Sequence, residues 1–324
     1  MLTRRLGRTG LQVAALCLGG NVFGWTADEP TSQAVLDAYV EGGGNFIDTA
    51  DSYSRWVSSH TGGESEIILG RWMQTRGNRG QIVIATKVQS PMGPGPTDQG
   101  LSRHHIMAGV DASLRRLQTD YIDLYQAHND DPDTPLDETL RAFDDLIHQG
   151  KVRYIGASNY SAWRLTRALW ESDKHNVARY ESVQPFYNLV SRAGYERELE
   201  ALCLEQGLGV IPYSSLASGF LSGKYRPGAP LPSSPRAGRV QQRYMNERGF
   251  AVLQAVDEVA RARNATAAQV ALAWLIARPG MTAPIASATS VEQVRELLGA
   301  TELTLDADAI VALDSAAAWQ GHEG

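Results

Sequence analysis

The chain predicts an α/β protein of one domain, a (β/α)8 TIM barrel over residues 1–324, with a long loop after the seventh strand and an extra C-terminal helix. Three observations carry this. Eight short apolar segments alternate with eight helical patterns, glycines and serines punctuate the helix ends, and polar side chains gather at the C-terminal ends of successive apolar segments. Strands separated by helices become parallel neighbours, and eight such units close most simply into a barrel. The rival, an open doubly wound sheet, is weakened because Leu18-Gly19-Gly20-Asn21-Val22-Phe23-Gly24 does not read G-x-G-x-x-G.

Taken in order, the strand segments are Ala14 to Leu18, Asn45 to Asp48, Ile82 to Lys87, Ile122 to Gln126, Val152 to Ser158, Ser182 to Gln184, Gly209 to Pro212 and Ala283 to Ala286. The helical patterns between them are Thr31 to Glu41, Glu64 to Arg76, Ser102 to Leu117, Leu136 to Gln149, Ala162 to Glu171, Glu196 to Glu205, Gly249 to Ala277 with a break near Asn264, and Val291 to Leu298. Ile106, Val110, Leu114 and Leu117 show the helical spacing. Gly42-Gly43-Gly44 and Gly150 end helices, and Ser161 and Ser290 stand where helices need caps.

Two stretches exceed the even spacing. Residues 213 to 246, rich in proline and glycine, follow the seventh strand and are expected to overhang the barrel mouth as a ligand lid. Leu303 to Gly324 is expected to hold a packing helix near Asp306 to Ala317, then Trp319 and a frayed tail.

Composition narrows the function classes. With 324 residues, 43% of them hydrophobic, the chain can bury a large core. Its 30 basic and 36 acidic residues form no long basic run, so neither nucleic acid nor an anionic membrane is an expected partner. Cys17 and Cys203 are the only cysteines, which implies no disulfide framework or zinc cluster and points to a reducing, cytoplasmic compartment. Arg4, Arg5 and Arg8 before Leu11 to Leu18 read as the approach to a first strand rather than a signal peptide, because the apolar run is short and lacks a convincing cleavage site. The acidic Asp130-Asp131-Pro132-Asp133 reads as a solvated loop, and no metal is expected.

Asp48, Tyr53, Lys87 and His128 sit at or just past the ends of three successive strands, so a parallel barrel brings them to one mouth. Singly, each has a duller explanation: a helix cap, a core wall, a solvated strand end, a loop histidine. Jointly they form a set that can deliver a proton to a carbonyl. A lysine ammonium beside the phenol is expected to lower its pKa, an aspartate to keep the lysine charged, and the histidine to orient the carbonyl oxygen. Trp25 and Trp56 are placed to wall a substrate pocket.

Four stretches then carry a resemblance: Gly44 to Tyr53 (GNFIDTADSY), Ile84 to Lys87 (IATK), Tyr121 to His128 (YIDLYQAH) and Gly150 to Asn159 (GKVRYIGASN). Over essentially its full length the chain resembles the aldo-keto reductases, whose Asp, Tyr, Lys and His tetrad falls on Asp48, Tyr53, Lys87 and His128. The resemblance implies reduction of aldehydes or ketones with a nicotinamide cofactor and no metal. It places the nicotinamide carboxamide on Ser158, Asn159 and Gln184 and the ring on Tyr213. It places the pyrophosphate on the loop bearing Ser214, Leu216, Gly219, Leu221 and Lys224, and the adenosine near Ser287, Thr289, Gln293 and Glu296. Leu297 replaces the usual Asn and Ser290 stands where a basic residue often meets the 2′-phosphate, so NADPH is the expected cofactor and NADH a possible one, with Thr289, Lys224 or Arg295 compensating. Two other classes stay open: a nicotinamide-binding, redox-sensing regulatory subunit like the potassium-channel beta subunits that resemble this family, and an isomerase or aldolase using Lys87 as a Schiff base. The sequence leaves the carbonyl substrate's identity and the oligomeric state undetermined.

Overall fold

A computed structural model describes residues 1–319. Its centre is an eight-stranded parallel sheet, with strands β3 (Cys17–Gly19), β4 (Phe46–Asp48), β5 (Val83–Val88), β6 (Ile122–Ala127), β7 (Val152–Ser158), β8 (Tyr180–Gln184), β9 (Gly209–Val210) and β10 (Ile285–Ala286). Each strand pairs with the next, and β10 pairs back onto β3. The remaining seam is closed by backbone bonds from Thr282 N to Val210 O (2.8 Å) and from Ile285 N to Pro212 O (2.9 Å). The result is the (β/α)8 barrel that the alternation predicts.

The helices that wrap it are α1 (Glu29–Glu41), α2 (Glu64–Arg76), α3 (Arg103–Leu117), α4 (Leu136–His148), α5 (Ala162–His175), α6 (Ala193–Glu196), α7 (Leu199–Gln206), α8 (Ala237–Tyr244), α9 (Glu247–Arg263), α10 (Ala267–Ala277), α11 (Val291–Leu298) and α12 (Ala307–Ala316). Their ends follow local chemistry. Ser161 accepts a hydrogen bond from Arg164 N and Ser290 from Gln293 N, each satisfying an amide left free in the first turn. The break near Asn264 is a left-handed C-cap, after which Thr266 and Gln269 form a capping box for α10. At Gly44 a Cβ would stand 2.3 Å from the Tyr39 ring, whose hydroxyl bonds Leu16 O and Phe46 O and so locks α1 to β3 and β4.

Two layers of core result. Inside the barrel, Cys17, Phe46, Val83, Ala85, Leu124, Ile211, Ala283 and Ile285 pack with Leu6 and Val13. Between barrel and helices lies the larger cluster, anchored by fully buried Trp72 and Trp274. Their indole N–H groups donate to Asp37 (2.8 Å) and Asp314 (3.1 Å), which removes the cost of burying an unpaired donor.

The structure corrects the sequence expectation in three places. The segment Ala14 to Leu18 is divided: β2 (Gln12–Ala14) pairs antiparallel with β1 (Thr3–Arg5), and only Cys17–Gly19 enters the barrel. This hairpin plugs the bottom of the barrel, and Gly7 in its turn lies so close to Glu181 O that a Cβ would meet it at 2.3 Å. The sixth helical pattern is two helices, α6 and α7. Residues 213 to 246 are more than a loop, since they contain a 3-10 segment, Ala217–Ser222, and α8, whose Val240 and Tyr244 are buried. The C-terminal helix is present where it was expected: α12 docks through Leu313 and through Asp314, which pairs with Arg192 at 2.8 Å; the tail beyond Trp319 lies outside the described residues. Among the described residues no helix is long and apolar enough to cross a membrane.

Candidate active site

The site lies at the C-terminal ends of the strands, and register explains its assembly. Gly19 is level with Asp48, Lys87 with Gln126, Gln126 with Gly156, and Ser158 with Gln184. Side chains at those levels that face inward therefore meet above the barrel core.

Lys87 is fully buried, and its ammonium donates to Asp48 Oδ2 (2.7 Å), Thr49 O (2.8 Å) and the Tyr53 hydroxyl (2.8 Å). Three donors thus meet three acceptors, the condition for holding a buried ammonium. The Tyr53 hydroxyl in turn donates to Asp48 Oδ2 at 3.2 Å. Asp48 Oδ1 receives the side-chain amide of Gln184 (2.8 Å) and, at 3.4 Å, that of Gln126. Burial first, and the Asp48 charge second, push the Tyr53 phenol well above its ordinary pKa. That opposes the expected lowering by Lys87: the carboxylate sits close to the phenol as the ammonium does, and desolvation favours the neutral form. Tyr53 is accordingly a firmly protonated phenol.

His128 packs edge-on against Tyr53, with ring centroids 6.1 Å apart, and its Nδ1 lies 3.5 Å from Ser90 Oγ. Burial, reinforced by Lys87, lowers its pKa to about 3. The imidazole is therefore neutral near pH 7 and can donate one N–H to an oxygen without carrying charge. Trp56 tilts against Tyr53 at 6.0 Å and meets Trp25 edge-on at 5.4 Å. Trp56 is 51% exposed.

From Asp48 and Tyr53 a cleft of about 600 Å³ runs outward past Tyr213, Ser214, Leu216 and Gly219 to Lys224, Ser287, Thr289, Gln293 and Glu296. Ser214, Ala217, Ser218 and Gly219 all have left-handed φ, values that non-glycine residues rarely adopt. Within this turn Ala217 N donates to Ser214 O and Gly219 N to Leu216 O, both at 2.8 Å. Ser287 Oγ bonds Asn21 Oδ1 at 2.5 Å, and Gln293 Oε1 accepts from Thr289 N at 2.9 Å. Not every residue assigned from sequence lines this space. The Leu221 side chain is buried with that of Phe220 in the tight 3-10 turn. Ser158 is buried with its hydroxyl on Gln184 O (3.0 Å), whereas Asn159 bridges His128 O (3.0 Å) and the Tyr213 hydroxyl (2.8 Å).

Sequence reasoning missed Gln126, Ser90, Arg236 and Arg239. Arg236 and Arg239 line the cleft beside Lys224. Burial and then Arg236 lower the Lys224 pKa, and burial and then Arg239 lower that of Arg236, with Tyr225 opposing. Such crowding is relieved by a phosphate. Arg236 also lies over the Trp25 ring, 5.3 Å from its centroid. In sequence these arginines look like ordinary loop charges, and only the Pro-rich setting that carries them over the mouth hinted otherwise. Asp130 and Asp131, by contrast, bond Arg164 (2.8 Å) and Leu101 N (2.6 Å), so the acidic stretch serves the loop.

The family model described as the aldo/keto reductase family matches residues 15–318. The chain belongs to this family. The uncharacterized oxidoreductase YrpG of Bacillus subtilis is 38% identical over 307 residues, 93% of this chain and 91% of that protein. A probable voltage-gated potassium channel subunit beta of Arabidopsis thaliana is 36% identical over 310 residues, 94% and 92% of the two chains. The aldo-keto reductase AFTS1 of Alternaria alternata is 35% identical over an alignment of 353 residues, 99% of this chain and 93% of that one. As an aldo/keto reductase the chain is an oxidoreductase by family, of a kind that generally reduces carbonyl groups with nicotinamide cofactors.

Proposed function

We propose that this aldo/keto reductase uses NADPH to reduce small aldehydes or ketones to alcohols, with Tyr53 as the proton donor. The observation that carries the reading is the Lys87–Tyr53–Asp48 cluster at the inner end of the cleft, with all three ammonium protons satisfied and a phenol that retains its proton. A bound reduced nicotinamide supplies the hydride. The chain supplies the rest. A carbonyl oxygen entering between Tyr53 and His128 meets a phenol O–H and a neutral imidazole, two donors placed where negative charge develops. Lys87, 2.8 Å from the Tyr53 oxygen, stabilises the phenolate left when the proton departs, and Asp48 holds that ammonium in place. Trp25 and Trp56 give the apolar wall for the substrate's organic part.

The residues fit the cofactor. The turn bearing Ser214, Ser218 and Gly219 lines the cleft, and Lys224, Arg236 and Arg239 beside it offer charge to phosphate. This excess of cations supports NADPH over NADH, answering the missing basic residue at Ser290. The test is cofactor oxidation with a panel of aldehydes and ketones, each run with both nicotinamides. Sustained turnover favouring NADPH supports the reading, and none with any carbonyl refutes it.

The likeness to the Arabidopsis protein named as a probable channel subunit beta favours a second reading, a nicotinamide-binding regulatory subunit. Tight cofactor binding with negligible turnover across the same panel distinguishes it. The Schiff-base reading loses support, because Lys87 is an ammonium fixed by three acceptors, including the Asp48 carboxylate.

A further inference from the structure

The Asp48 carboxylate divides its contacts by oxygen. Oδ2 takes the charged and hydroxyl donors, Lys87 and Tyr53, while Oδ1 takes two neutral amides, Gln184 at 2.8 Å and Gln126 at 3.4 Å. The two glutamines also touch each other, Gln184 Nε2 donating to Gln126 Oε1 at 3.4 Å. Both hydrogens of the Gln184 amide are thereby engaged, one by Asp48 and one by Gln126. What Gln184 has left to offer is Oε1, an acceptor.

Gln126 has no reason to be in the barrel except this. It is fully buried between Tyr125 and Ala127 of its strand, where an unpaired amide is costly. Its surroundings make room for it: Gly156 lies level with it across the sheet, and a Cβ there would stand 3.3 Å from Gln126 Cγ. A glutamine amide flipped end for end has the same shape, so only hydrogen-bond partners decide its direction. Asp48 Oδ1 accepts from both amides, and Gln126 Oε1 accepts from Gln184, leaving one self-consistent pattern.

We infer that Gln126 is a positioning residue for carbonyl reduction, fixing the Gln184 amide so that its nitrogen faces Asp48 and its carbonyl oxygen is kept for the N–H of the cofactor's carboxamide. The inference rests on the nicotinamide reading above and goes beyond it by tying cofactor recognition to the Asp48 network through one buried amide. Gln126 itself touches no reacting atom.

The test compares NADPH with its reduced 3-acetylpyridine analogue, whose acetyl group has no N–H, in the wild type and in Gln126→Met and Gln126→Glu. The wild type prefers the carboxamide cofactor. In Gln126→Met the Gln184 amide keeps its bond to Asp48 but loses the second contact that fixes its direction, and the ratio of kcat/KM for the two cofactors falls by roughly tenfold, the worth of about one hydrogen bond. A merely structural role lowers both values together. In Gln126→Glu a protonated carboxyl reproduces both contacts, so the preference is retained at low pH, and activity declines as pH rises and a second carboxylate forms beside Asp48. An unchanged ratio in folded Gln126→Met overturns the inference. If that variant fails to give a cooperative melt, Gln126→Glu decides: a pH profile identical to the wild type's overturns it. Failure of the wild type to oxidise either cofactor with any carbonyl instead overturns the nicotinamide reading.

Discussion

Lys87 illustrates how tightly the residue scale constrains the chemistry. Its three hydrogen bonds to Asp48, Thr49 and Tyr53 leave no donor for substrate, so its influence passes through the phenol. Replacing it with Met leaves the buried Asp48 without its cation, which should cost about 3–5 kcal/mol of stability, read by urea denaturation, beside a large fall in rate. His128 and Tyr53 set the pH dependence. The histidine's pKa is lowered to about 3 by burial and Lys87, and the phenol's is raised by burial and Asp48. The proposed mechanism needs the neutral imidazole and the protonated phenol, and both are present throughout neutral pH. The kcat for reduction is therefore expected to show no histidine inflection between roughly pH 5 and 8, a limit set by where free His titrates. A sigmoid centred near pH ~6.5, the free-imidazole value, would contradict the neutral-donor role. The four polar residues were legible in the sequence because strand ends in a parallel barrel share one mouth. Gln126 was not, because an interior strand glutamine gives no sign of which carboxylate it will meet.

At the scale of elements, the loop from Thr49 to Tyr53 connects β4 to the proposed proton donor and contains a second buried acid. Asp51 is buried against Glu66 of α2, and burial, followed by the Glu66 charge, pushes its carboxyl up to about 8. Glu66 is itself bonded to Thr86 of β5 (2.6 Å) and Arg116 of α3 (2.6 Å), so the loop, a strand and two helices share one electrostatic cluster. A folded-state pKa above the unfolded value means that the native state binds the extra proton, and stability falls as pH rises from about 4 through about 8. Asp51→Asn should remove that slope and raise the urea midpoint at about pH 8 relative to the wild type; an unchanged slope would count against a protonated Asp51. Elements with strong periodicity and caps, such as α3 and α5, were readable in advance. The β1–β2 hairpin was not, since three-residue strands carry no period. Nor was α8, because the prolines before it read as loop although Val240 and Tyr244 have a core face.

For the whole molecule, the barrel provides one mouth and the segment after β9 folds across it. That segment brings the left-handed run at Ala217 to Gly219 and the arginines of the α8 approach to the same cleft as Tyr53. Arg236 joins both halves of the site, lining the cleft and lying over Trp25. Losing Arg236 and Arg239 together, as a double alanine variant, should raise KM for NADPH by roughly tenfold to a hundredfold, as expected for lost charge-assisted bonds to phosphate, and affect NADH less. Equal effects on both nicotinamides would place the cations on the pyrophosphate rather than on a 2′-phosphate. The barrel itself was legible from alternation alone. The cation cluster was not, because it forms only when a long connection closes over strands distant in sequence.

The most direct test of the account is the rate of NADPH oxidation by Tyr53→Phe, measured with a carbonyl that the wild type reduces and alongside the affinity for NADPH. The expected result is a loss of about 10²-fold or more in kcat with cofactor affinity nearly unchanged, because only the proton donor is removed from the site. Turnover by Tyr53→Phe at the wild-type rate would contradict it.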